Sequence, residues 1–176
     1  MAGSLVLLDS VTASNSATVT LGAANWDSSY NVYMVIHRNV TGTVDDKHLR
    51  IRFLKASDSS PDTTSNYDEA AKLLRADTTF TNSSSTNQDH LRIQATGVGN
   101  STNEVTNCVY YLFNFNNASE YSFLTNEETQ LNLDGTLWGS QGGGVHTVAQ
   151  ASNGLQFYMN SGNISSGEFK LYGLKK

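Results

Sequence analysis

Side chains able to do chemistry are plentiful in this chain, but their spacing organises few of them. Carboxylates at Asp27, Asp68, Glu104, Glu127 and Asp134 are dispersed among Asn, Ser and Thr. Glycoside hydrolysis needs two carboxyls facing one another across a cleft, and linear order pairs none of these. No Gly-x-Ser-x-Gly elbow occurs, and no Ser is marked by its neighbours as an activated nucleophile. Cys108 stands alone, so no intrachain disulfide can form. Its setting, "NCVYYLFNF", offers no cation to lower a thiol pKa and suits a small buried hydrophobe. The histidines, His37, His48, His90 and His146, follow no metal-ligand spacing. "DDKH" (Asp45–His48) joins two carboxylates to an imidazole without a second cluster to complete a site. The turn around Pro61, from Asp58 to Asp62, lacks the ligand series of a calcium loop. "GSQGGGVH" (Gly139–His146) is glycine-rich but is not followed by the Lys-Ser/Thr of a phosphate loop; it predicts a flexible or positive-φ connector between strands. No catalytic, cofactor-binding or metal-ligating residue is identified, and the expected class is non-enzymatic.

Two side chains remain as candidate ligand platforms. Trp26, in "NWDSS", and Trp138, in "LWGSQ", sit at strand–loop borders, where an exposed indole can stack on a sugar ring. The same residues can equally cap a core.

The elements that must position these groups read as β-strands. Hydrophobic residues make up 38% of the 176 residues and charged residues only 15%, against a usual charged share of about 25%. Asn, Ser and Thr replace the missing charge and favour turns over helix interiors. Strand-like runs occur at Ala17–Leu21, Tyr30–Val40, Leu49–Lys55, His90–Ala95, Val109–Phe115, Val145–Ala149, Leu155–Met159 and Glu168–Leu174. In Tyr30–Val40 the alternation groups Tyr30, Val32, Met34 and Ile36. Leu49, Ile51 and Phe53 oppose Arg50 and Arg52; Phe157 and Met159 oppose Gln156 and Tyr158; Phe169 and Leu171 oppose Glu168 and Lys170. Ser57–Asn66, "TTFTNSSSTNQ", "GVGNSTN" and "GSQGGG" read as loops. Tyr67–Asp77 has Tyr67, Ala71 and Leu74 at helical spacing with acids early and bases late; a short helix is the first reading and a strand the alternative. The connector "NSGNISSG" is too long for a two-residue hairpin and predicts that the strands on either side lie in different sheets. The expectation is an all-β, jelly-roll-like sandwich of eight or more antiparallel strands. Residues 1–176 read as one domain with no separate linker or anchor.

Charge and hydropathy narrow the partners. The net charge is −5 and the terminal lysines form the only basic cluster in the linear sequence, which argues against nucleic acid and anionic membrane surfaces. "MAGSLVLLDS" is too short and lacks the basic start of a signal peptide, and no run approaches the roughly 20 apolar residues of a membrane span.

Several stretches together resemble a family of small virion-associated proteins of tailed, often marine, bacteriophages. They are "SSYNVYMVIHRNV", "HLRIRFL", "GVGN…E", "YYLFNFNNAS" and "GLQFYMNSGNISSGEFKLYGLKK". The family's typical end is a hydrophobic strand, a serine, "GNI", a small residue, "SG", a strand ending in "LYG" and a short basic tail. Here these elements are Leu155–Met159, Ser161–Ile164, Ser166–Gly167 and Phe169–Lys176. The resemblance runs from about Tyr30 to the end, and the chain departs from it at "NFNN", where the pattern has a proline after the first Asn. It implies a β-sandwich or jelly-roll module located on a virion, made in the host cytoplasm, with no catalytic residues to carry over. The expected role is a capsid decoration or cement protein, a homo-oligomer and specifically a trimer, bound to the major capsid protein. A tail-fibre module, attached to tail components and binding a host surface glycan through Trp26 or Trp138, is the alternative; a glycan depolymerase is the third reading.

Overall fold

A computed structural model describes residues 4–92 and 94–175. Met1–Gly3, Ile93 and Lys176, which enter the readings of the N-terminus, of His90–Ala95 and of the basic tail, lie outside the described residues. Strands dominate: β1 (Leu5–Ser16), β2 (Val19–Gly22), β3 (Val32–Gly42), β4 (Leu49–Lys55), β5 (Tyr67–Arg75), β6 (Thr81–Gln88), β7 (Thr106–Phe113), β8 (Ser122–Leu131), β9 (Leu137–His146), β10 (Ser152–Met159) and β11 (Ile164–Leu174). One short 3-10 turn, Ala23–Asn25, follows β2. All pairings between these strands are antiparallel and form an eight-stranded sheet, β1-β11-β3-β7-β8-β9-β5-β6, and a three-stranded sheet, β2-β10-β4. The fold is an all-β sandwich, as composition and alternation predict. β10 and β11 lie in different sheets, as the long connector between them implies.

Alternation builds the core. Leu49, Ile51 and Phe53 from β4 and Leu155, Phe157 and Met159 from β10 face inward and meet Val35, Tyr110, Leu112, Phe169 and Leu171 of the large sheet. The rings of Phe157 and Phe169 lie 5.0 Å apart. β3 keeps the predicted period, and the structure settles which phase is the inner one. Tyr33, Val35 and His37 are fully buried, so Val32, Met34 and Ile36 point away from the three-stranded sheet. Both phases of this strand are apolar, and periodicity alone does not say which is the inner one.

The three-stranded sheet covers only part of its partner. The inner face of β8, β9 and β5 is covered instead by irregular chain at residues 89–92 and 94–105. Leu91 makes a bridge to Ile51 of β4 and packs into the space left by Gly144, where a Cβ would lie 2.5 Å from the Leu91 methyl. A loop over a core must have its backbone groups satisfied, and here inward polar side chains satisfy them. Glu128 accepts from the Ala95 N–H (3.0 Å), Gln130 donates to the carbonyls of Thr96 (3.1 Å) and Gly97 (3.3 Å), and Gln94 accepts from the Leu49 N–H (2.6 Å). β8 is consequently polar on its buried side, with Ser122, Asn126, Glu128 and Gln130 all inside.

Four expectations are corrected. Tyr67–Arg75 is strand β5, not a helix: it pairs along its length with β9 on one side and β6 on the other, and this ladder outweighs the pattern of a segment too short for a stable lone helix. "TTFTNSSSTNQ" contains strand β6, an edge strand whose Ser, Thr and Asn face water on both sides. Gly139–His146 is part of strand β9, and no glycine in it has positive φ. Among the described residues of His90–Ala95 there is a single bridge rather than a strand.

Candidate functional site

The outward face of the eight-stranded sheet carries two apolar rows. Cross-strand register aligns Val32, Phe113, Phe123 and Val145 on β3, β7, β8 and β9. The adjacent row runs Leu7, Tyr172, Met34, Tyr111, Thr125, Gly143 and Ala70 across β1, β11, β3, β7, β8, β9 and β5. Leu7, Tyr111, Phe113 and Phe123 are 53%, 37%, 36% and 43% exposed. β3 and β7 are thus apolar on both faces. Such two-sided strands normally lie between two covering layers, and the described residues supply one.

Beyond these rows the face becomes polar. A groove of about 550 Å³ is lined by Ile36, Arg38, Asn107, Val109, Glu127 and Gln141 among others. β9 contributes Ser140 and Gln141 to it, and on the same strand a Cβ at Gly143 would lie 2.5 Å from the Leu124 carbonyl. Arg38 donates through two nitrogens to Glu168 (3.0 and 2.7 Å), which holds the Glu168 carboxyl below its ordinary value and raises Arg38. Gln141 donates to Glu127 at 3.3 Å.

The residues singled out by sequence do not converge. Trp26 packs against Tyr33 (3.9 Å between ring centroids) and Phe115 (5.7 Å), and its indole N–H donates to Asn116 (2.8 Å). Trp138 stacks beneath the Arg75 guanidinium at 4.1 Å. It lies at the opposite end of β9 from His146, which packs on Phe53 in the Trp26–Phe115 cluster; eight residues of strand separate the ends by about 26 Å. Asp27, Asp68, Glu104 and Asp134 each accept a nearby backbone N–H, from Ser29, Asn87, Ser101 and Thr136. They shape turns and strand ends rather than share a cleft. Cys108 is buried, and burial pushes its thiol well above its ordinary value. Among the described residues no group of His, Cys, Asp and Glu is arranged to hold a metal, and no helix is long and apolar enough to cross a membrane.

Sequence reading missed a buried polar relay. The Tyr110 hydroxyl donates to His37 Nδ1 (3.1 Å), His37 Nε2 donates to Thr106 Oγ1 (3.3 Å), and Thr106 donates to Glu128 Oε1 (3.0 Å). Burial lowers His37 to about 3 and raises Glu128 to about 7. The relay is closed inside the sandwich, so it ties β3, β7 and β8 together rather than meeting a substrate. The outward aromatic row was also missed, although "VYYLFNF" signals it: aromatics fill both phases of the run.

Comparison with protein-family models, curated proteins and solved structures finds no match to this chain.

Proposed function

We propose that the protein is a non-enzymatic structural module that works by burying the outward face of its eight-stranded sheet against a neighbouring subunit. The carrying observation is that β3 and β7 are apolar on both faces while the described residues cover only one. Eight strands at about 4.8 Å spacing and about eight residues long present a face on the order of 1,000 Å². A stable interface takes about 800 Å² from each partner, so this face is large enough. Together with the C-terminal resemblance, this supports a virion role, and within it a capsid decoration protein seated on the major capsid protein. Self-association as a trimer belongs to the same proposal.

A second reading, a tail-borne module that binds host glycan, is favoured by the mixed polar and apolar groove at Arg38, Asn107, Glu127 and Gln141. The tryptophans add less to it, because Trp26 has ring faces engaged within the chain and Trp138 lies under Arg75. Incorporation into particles separates the two. The Phe113→Asp/Phe123→Asp double variant is expected to fold but to be absent from purified virions that carry the wild-type chain at high copy. Normal incorporation of that variant contradicts the docking face; a handful of wild-type copies on the tail favours the glycan reading.

A further inference from the structure

The opposite side of the sandwich, the outward face of the three-stranded sheet, differs in kind. On β4, Arg50 and Arg52 alternate outward against buried Leu49, Ile51 and Phe53. His48 continues the outward series one step before the strand; its N–H donates to Asn160 Oδ1 (2.9 Å) and its carbonyl accepts from the Asn160 N–H (3.0 Å). At the edge of β4, Leu91 exchanges backbone hydrogen bonds with Ile51 (2.9 and 3.0 Å) and faces inward. Its neighbours His90 and Arg92 therefore flank it on the outward side. β10 contributes Tyr158, directly opposite Arg50, and Gln156, opposite Arg52. The fold thus gathers Arg50, Arg52, Arg92, His48 and His90 on one small face, in a chain of net charge −5 whose linear sequence keeps the two groups far apart.

These groups are unequally satisfied, and because burial lowers both His48 and His90 the standing positive charge is that of the arginines. Arg52 pairs with the Asp89 carboxylate, donates to the Asp89 carbonyl (2.8 Å) and lies 4.6 Å over the Tyr158 ring. His90 takes the other oxygen of Asp89 at 2.5 Å. Among the described residues neither Arg50 nor Arg92 makes an ion pair with a carboxylate; Glu69 accepts from the backbone N–H of Arg92. Arg50 Nε and His48 Nδ1 are buried and unpartnered, and the Tyr158 hydroxyl, raised by burial, has the Arg50 side chain beside it as a donor. Burial lowers His48 first, and Arg92, Arg50 and Lys47 oppose its protonation further, with Asp46 acting the other way, so these groups share one local field. Buried donors left unpaired are costly and are normally met by water or an ion. Adjacent donors around Arg50, which makes no ion pair, and Arg92, whose charge also acts on Glu69, suit an acceptor that carries several lone pairs and negative charge.

We propose that this face binds an oxyanion group, a sulfate, phosphate or carboxylate, between Arg50, Arg92 and His48, with the Tyr158 hydroxyl as a further donor. It would equip the side of the molecule opposite the docking face to hold an anionic ligand, and it stands whether or not that face docks. The test is a titration of the isotope-labelled full chain with sodium sulfate, sodium phosphate and sodium acetate, each against sodium chloride at matched ionic strength, followed by amide chemical shifts. Saturable shifts confined to residues 47–52, 89–92 and 156–160 are expected, and the rank of the three salts identifies the oxyanion preferred. Arg50→Gln and Arg92→Gln should each weaken binding about tenfold, whereas Arg38→Gln, on the other sheet and paired with Glu168, should leave it unchanged. Arg92 lies outside both sheets, so its variant retains the fold if Arg50→Gln does not. Shifts that do not saturate or that match chloride overturn the proposal, as does wild-type affinity in either folded glutamine variant.

Discussion

At the scale of single residues, Glu128 is the most consequential side chain in the interior. It holds Ala95 of the covering segment and Thr106 of β7 at once. Its carboxyl is raised from an ordinary 4.5 to about 7 by burial. A raised acid binds its proton more tightly in the folded state, so stability falls as pH rises from about 4.5 through 7, and the full cost is present above 7. His37 acts in the other direction: lowered to about 3 from 6.5, it removes stability as pH falls below 6.5 toward 3. Because His37 is common to both proteins, comparing wild type with a Glu128 variant isolates the Glu128 effect. Glu128→Gln should remove roughly 2–3 kcal/mol of the loss between pH 5 and 8, read as the difference between the two proteins' urea midpoints at those pH values. An unchanged slope would mean that Glu128 does not ionise there. Gly142 poses a steric test instead. A Cβ there would sit 2.6 Å from the Ala71 Cα of β5, and backbone does not yield, so Gly142→Ala should cost about 1–3 kcal/mol or more, seen as a lowered Tm.

Elements show what was legible and what was not. β4, β10 and β11 were readable because one phase is apolar, the other polar, and the apolar side is the buried one. β8, "SFLTNEETQL", was missed because its buried side is polar: Glu128 and Gln130 serve the backbone of an irregular cover rather than a facing sheet. β6 was missed because an edge strand exposed on both sides has no alternation to show. β9 was missed because glycine reads as a turn wherever tight approach to neighbouring backbone is the actual reason for it. The oxyanion face was illegible for a further reason: Arg92 reaches Arg50 only because Leu91 bridges to Ile51. For β11 a direct prediction follows from its place between β1 and β3. Truncation before Phe169 removes two core side chains and opens two sheet edges, and the product should be insoluble. A folded, soluble truncation would show that β11 is a docking arm rather than a structural strand.

For the whole molecule, the sandwich has two unlike outer faces: a broad one with two apolar rows on the eight-stranded sheet and a small cationic one on the three-stranded sheet. The first carries the proposed function, because its apolar rows lack a second cover among the described residues; the second extends it. Apolar docking is only weakly sensitive to salt, whereas exposed charges are screened over about 8 Å at physiological ionic strength. Attachment through the large face should therefore persist in high salt while the anionic ligand is released. The most direct measurement of the central claim is an image reconstruction of the virion that locates this chain. The account predicts density at many symmetry-related positions on the capsid, with Tyr111, Phe113 and Phe123 against the capsid surface. A few copies on the tail, or that face turned to solvent, would contradict it.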